Sequence, residues 1–347
     1  MIKIHANFIG GNILVKSIDG NVITLENELR DSSEWFYFAF CIEGAQGQEL
    51  TFKMQKDRLG YFGPAVSHDL KVWHWLGEEY IKEDSFTYRF SNDESCVYFA
   101  HHILYHPDLF FEFLRKNGLE ADELCRSRKG RLVPCVTLGD GEKSIIFTAR
   151  HHACESTGSY VLEGVLQELV NHPIPNTRIF CVPFVDFDGV VDGDQGKGRA
   201  PHDHNRDYTS SPIYPEIAEI IKYANRYGCH LGFDFHSPWH IGGENDNIFI
   251  VRNSIEKQAK YDKFANILQN ELFDTSISYT KENDRQPMTG WNQPSPNFGY
   301  TMNLREECDL AFSLETAYFG TKDNPISKEK LIMLGRCFAK GLRKYIL

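Results

Sequence analysis

The chain has 347 residues, 41 % of them hydrophobic and 24 % charged, with a formal net charge of −11. That acidic balance excludes a general nucleic-acid binder, and the absence of any run of about 18 apolar residues excludes a membrane-spanning helix. Nine Cys without a C-x-x-C pair argue against a disulfide framework and for reduced, mostly buried thiols.

The first residues, Met1-Ile-Lys-Ile-His-Ala-Asn7, lack a basic segment followed by an apolar stretch, so no secretory signal is expected and the location reads as cytoplasmic. Trp35 to Ile42, Leu50 to Met54, Phe86 to Phe90 and Cys96 to Ala100 are short aromatic and β-branched runs punctuated by Gly, Asn or Asp. Such runs without long helical patterns predict an antiparallel β-sandwich. From about Leu109 the texture changes. Phe110 to Lys116 and Tyr160 to Val170 show helical spacing. Apolar strand candidates lie around them at Ser144 to Phe147, Thr177 to Val185, His230 to Phe235 and Asp309 to Leu314. Strands alternating with helices predict an α/β layer, whose reactive groups gather at the carboxyl ends of the strands. The boundary falls near Tyr105 to Asp108, dividing the chain into 1–106 and 107–347.

Chemistry-bearing residues follow the strand candidates. His152 and Glu155, an H-x-x-E pair after Ser144 to Phe147, offer two metal ligands from one turn. The pattern recurs by chance, so it gains weight only with a third ligand. His236 ends the run Leu231-Gly-Phe-Asp-Phe-His236; His240, beyond Pro238, is its rival. Asn205 and Arg206 put an amide beside a guanidinium, a pair suited to a terminal carboxylate; the plainer alternative is a solvated polar loop. Asp203 is placed to accept from the outer nitrogen of a metal-bound His. Gly193 to Arg199 is glycine-rich but lacks phosphate-loop spacing, and brings Lys197 and Arg199 near the site. Glu315 lies in an apolar strand, where a carboxylate needs a partner or a task. A general base and a buried salt bridge are the two readings.

In this order the segments resemble the zinc metallocarboxypeptidase family, and within it the cytosolic carboxypeptidases. Ala149-Arg-His-His-Ala-Cys-Glu155 is similar to A-R-x-H-P-G-E, Val182 to Val190 to P-x-x-N-P-D-G-V, and Asn205-Arg206-Asp207 to N-R-D. Phe233-Asp-Phe-His236-Ser is similar to the D-x-H segment, and Ser313-Leu-Glu315-Thr to the catalytic Glu strand. Two departures stand out: Ala153-Cys154 replaces Pro-Gly, and Ser237-Pro238 replaces Gly-His.

The resemblance implies a sandwich followed by a mixed eight-stranded sheet between helices. It implies one zinc ion on His152, Glu155 and His236, with Glu315 as general base. Asn205 and Arg206 would hold the substrate carboxylate, and Asp203 would support His152. Arg199, or else Lys197, would stabilise the oxyanion, and Tyr300 would cover the substrate. The implied substrate is a peptide or protein C-terminus. An acyl-amino-acid amidohydrolase and a non-catalytic binding module are the competing readings. Asn297-Phe-Gly-Tyr300 occupies the place of a G-T-G-R loop that serves glutamate-removing members, so a phenol replaces their cation.

Overall fold

The computed structural model describes residues 2–30 and 36–347, so Trp35 of the first aromatic run lies outside the described residues. Ten short strands come first: β1 (Lys3–His5), β2 (Leu14–Asp19), β3 (Val22–Glu26), β4 (Ala39–Glu43), β5 (Glu49–Lys53), β6 (Ala65–Ser67), β7 (His74–Trp75), β8 (Ile81–Lys82), β9 (Ser85–Arg89) and β10 (Cys96–Ala100). They make two five-stranded sheets, ordered β1-β4-β10-β6-β7 and β2-β3-β5-β9-β8.

Alternation turns one side of each strand inward. Ile23 and Leu25 of β3, Phe40 and Ile42 of β4, Phe52 of β5, Phe86 of β9 and Phe99 of β10 share one buried cluster. Phe40, Phe52 and Phe99 stand 5.4 to 5.7 Å apart, within the range of favourable ring contacts. One pairing departs from the antiparallel expectation: β3 and β5 run parallel. Between them the chain crosses to the other sheet as β4, and such a crossover lets β5 return in the same sense.

The helix α1 (Pro107–Lys116) opens the second part, burying Leu109, Phe110, Phe113 and Leu114. Seven strands then form one mixed sheet: β11 (Asp122–Arg126), β12 (Leu132–Leu138), β13 (Lys143–Ala149), β14 (Thr177–Val182), β15 (Leu231–His236), β16 (Ile248–Arg252) and β17 (Leu310–Thr316). Their order is β11-β12-β14-β13-β15-β17-β16. β14, β13, β15 and β17 are mutually parallel at the centre.

The sheet has seven strands among the described residues where eight were expected. Arg285 pairs with Val251 of β16 only through an isolated bridge. Pro287, which has no N–H to donate, follows two residues later and stops the ladder from extending.

Helices cover both faces. Ile145 and Phe147 of β13 join the cluster that includes α2 (Ser156–Asn171), α5 (Gln258–Leu272) and α7 (Lys328–Ile346). Ile146 points the other way, toward α4 (Pro215–Tyr227) and α6 (Phe298–Asn303). The remaining helix, α3 (Phe187–Asp192), follows β14. No helix among the described residues is long and apolar enough to cross a membrane.

Candidate metal centre and cavity

The carboxyl ends of β13, β15 and β17 bring the chemistry together. Arg150 leaves β13 with φ 63°, and its buried guanidinium donates from Nε to Ala153 O at 2.7 Å and from Nη1 to Tyr105 O at 2.8 Å. This pins the turn that presents His152 and Glu155. β15 and β17 pair in register so that His236 lies opposite Glu315.

His152, Glu155 and His236 each offer a donor atom, all within 4.8 Å of one another. Nδ1 of His152 lies 2.9 Å from Glu155 Oε1, and Nδ1 of His236 lies 2.7 Å from Glu155 Oε2. Two imidazole nitrogens and a carboxylate converging in this way suit a tetrahedral divalent ion with one position left for substrate. Burial alone would push the Glu155 carboxyl up; the Lys197, His152 and His236 charges override it and hold the group ionised. The outer nitrogen of His236 meets Asp234 Oδ2, the supporting contact that orients a ligand imidazole. Asp203 Oδ1 stands 3.7 Å from His152 Nε2, too long for a hydrogen bond.

Glu315 is buried, and its Oε2 has no hydrogen-bond partner. Burial raises its pKa to about 7, against the lowering influence of His236. A buried carboxyl poised near neutrality can both take and return a proton.

A cavity of about 480 Å³ opens on these groups, and His152, His236, Glu315, Asn205, Arg206 and Asp203 all line it. Asn205 Nδ2 lies 3.3 Å from His236 Nε2, and Asn205 Oδ1 accepts from Phe298 N at 3.1 Å. Arg206 Nη1 donates to Asn205 O at 2.8 Å while its side chain borders the cavity.

Two expected residues land elsewhere. Arg199 does not line the cavity: its Nη2 lies 2.6 Å from Asp186 Oδ2 and 3.3 Å from Asp194 Oδ2, two buried carboxylates that draw it inward. Lys197 takes the lining position instead, with Nζ 2.6 Å from Glu155 Oε1 and donating to Ser237 O at 3.0 Å. Tyr300 lies in the first turn of α6, which Asn297 caps, and lines a neighbouring cavity with Asn253 and Asn292. His240, the rival ligand, stacks on Phe36 at 4.8 Å and on His101 at 4.9 Å, away from the donor set.

Sequence reasoning missed His151 and the role of Asp234. Asp234 bridges two imidazoles: Oδ1 meets His151 Nδ1 at 2.8 Å, and Oδ2 meets His236. Its spacing of two from His236 puts both on one side of β15, a signal that was available. His151 completes the network through the Tyr208 hydroxyl at 2.8 Å. His151, Asp234 and His236 form a second group of donor atoms within 4.8 Å of one another, but His151 and Asp234 do not line the cavity as His152 and His236 do, so His151 reads as a buried support.

Comparison with known proteins agrees with this geometry. The cytosolic carboxypeptidase N-terminal domain family matches residues 4–102. A protein of Zymomonas mobilis is 27 % identical over 68 % of this chain and 67 % of its own length. Cytosolic carboxypeptidase 2 of Xenopus tropicalis is 29 % identical over 48 % of this chain, which spans only 20 % of that relative. A metallo-carboxypeptidase of Pseudomonas aeruginosa, solved with (2-guanidinoethylmercapto)succinic acid, has the same fold, with a TM-score of 0.82 at 21 % identity over 99 % of both chains. In sequence and in fold alike, the chain resembles the zinc metallocarboxypeptidase family, and the cytosolic carboxypeptidases within it.

Proposed function

We propose that this chain is a zinc-dependent carboxypeptidase that removes the C-terminal residue of a peptide or protein, with its catalytic part spanning 107–347. The observation that carries the reading is the grouping of the three donors beside one cavity, which His152, His236, the unpartnered Glu315 carboxyl and Arg206 line. His152, Glu155 and His236 would hold one zinc ion, which when bound polarises a carbonyl and lowers the pKa of water.

Glu315 takes the proton from the attacking water and returns it to the departing amine, a task its buried, unpartnered carboxyl beside the donors suits. Arg206 offers a two-pronged grip on the free carboxylate, with the Asn205 amide beside it. Lys197, rather than Arg199, supplies the cation beside the carbonyl oxygen, because Lys197 lines the cavity and Arg199 does not.

The neighbouring cavity that Tyr300 lines carries no Lys or Arg among the described residues. Arg305 Nε is held by Glu307 Oε1 at 2.7 Å and its Nη2 by Ala224 O at 2.7 Å, so it does not supply one. A glutamate side chain reaching into that neighbouring cavity would be poorly matched, which argues against a dedicated glutamate-removing enzyme if the released side chain is seated there.

The test is turnover and metal content together. Wild type stripped with a chelator should lose amino-acid release and regain it with zinc. Glu315→Gln should keep its metal but lose roughly two to four powers of ten in turnover. Undiminished turnover in that variant would move the base elsewhere.

A further inference from the structure

Trp239 and Trp291 both line the cavity, yet both remain half open to solvent, at 55 % and 51 % relative exposure. Indole surface left open in a cavity wall is unfavourable in water and marks a contact surface. Each Trp stands on a long segment, and both segments are held in place.

The segment carrying Trp239 starts directly after His236. Its supports come from the N-terminal sheets. The Phe36 ring meets the Trp239 ring edge-on at 6.2 Å and stacks on His240 at 4.8 Å. The Tyr61 hydroxyl donates to Asp246 Oδ2 at 2.7 Å, farther along the same segment. The segment carrying Trp291 is held from the other side, where the Arg285 guanidinium lies 5.5 Å from the Trp291 ring centroid. Arg285 also ion-pairs with Glu244, which ties the two segments together and neutralises that carboxylate. Neighbouring lining residues are neutral amides, Asn245 and Gln293.

We propose that Trp239 and Trp291 form a subsite for neutral, ring-bearing side chains in the stretch of substrate that precedes the released residue, and that the N-terminal sheets serve to hold one wall of it. The proposal deepens the carboxypeptidase reading and rests on it. The physical selection is direct. An indole face carries the negative side of the ring quadrupole, so it attracts aromatic edges and cations and repels carboxylates; at Trp291 the Arg285 guanidinium already takes the cation's place. With Glu244 already paired to Arg285, neither group draws a charged side chain to the mouth. Phe36 and Tyr61 act as positioning residues, since they reach the subsite only through Trp239 and Asp246.

The test uses the full-length, zinc-loaded Glu315→Gln protein, which binds without turnover. Calorimetry with acetyl-Phe-Phe-Ala, acetyl-Gly-Gly-Ala and acetyl-Glu-Glu-Ala should show the Phe peptide binding about tenfold tighter than the Gly peptide, with the Glu peptide no tighter than Gly. Adding Trp239→Ala or Trp291→Ala should bring the Phe peptide within about twofold of Gly. Adding Tyr61→Phe should shrink the Phe advantage while leaving Gly-peptide binding unchanged. Glu-peptide binding equal to Phe, or a Phe advantage undiminished in both tryptophan variants, overturns the subsite. A Tyr61→Phe protein indistinguishable from its parent overturns the role of the N-terminal sheets. Failure of the wild type to release Ala from any of the three peptides would fell the carboxypeptidase reading, while the binding comparison would still judge the subsite.

Discussion

Lys197 and Arg199 are two residues apart, both cationic and mostly shielded from water, yet they do different work. Lys197 faces Glu155 and the cavity; Arg199 faces Asp186 and Asp194. Replacing each with Met separates the roles. Lys197→Met should lower kcat by about two powers of ten, the scale of a lost oxyanion donor, with metal content retained. Arg199→Met removes the guanidinium partner of the buried Asp186, while Asp194 keeps Arg30 at 2.6 Å, and should cost about 3–5 kcal/mol of stability, read by urea unfolding. The reverse pattern would return the oxyanion role to Arg199. Gly196 makes the Lys197 placement achievable. Its φ is +83°, and a Cβ there would lie 2.2 Å from Ala153 N in the turn that bears His152. Gly196→Ala should therefore cost at least about 2 kcal/mol and weaken metal retention, measured by chelator competition.

At the scale of elements, the centre depends on where parallel strands end. The apolar runs around Ile146, Phe180, Phe233 and Phe312 were legible because a strand buried on both faces is apolar throughout. His152, Glu155, His236 and Glu315 follow or close those runs, so their convergence at one end of the sheet was legible too. What stayed hidden depended on rotation and partner choice. Nothing in Gly193 to Arg199 says which cation turns inward, because that is decided by Asp186 and Asp194, carboxylates that only folding brings near. Tyr300 was expected to cover the substrate; the Asn297 cap starts a helix there, and the residue lines a different cavity.

Helix α4 carries a pH prediction of its own. Burial raises Glu216 from 4.5 to about 7, so the folded chain holds that proton more tightly than the unfolded one. The stability it lends is full below about pH 4.5 and is lost as pH climbs through about 7. Urea unfolding should show a decline of up to about 3 kcal/mol across that window, reduced by this amount in Glu216→Gln. An unchanged slope in the variant would place the proton elsewhere.

Across the whole molecule, two layers of organisation serve one cavity. The seven-stranded sheet sets His152, Glu155, His236 and Glu315 at its carboxyl edge, and Phe36 and Tyr61 of the N-terminal part touch the segment that carries Trp239. The proposed function requires that the cavity act on a free C-terminus through Arg206. The direct measurement is the rate of cleavage of the last peptide bond in one peptide, prepared with a free carboxylate and with an amidated end, by zinc-loaded wild type and Arg206→Ala. Wild type should cleave the free acid and barely touch the amide. Arg206→Ala should be slow on both, with the difference between them nearly abolished. Equal cleavage of free and amidated peptides by the wild type would contradict the account.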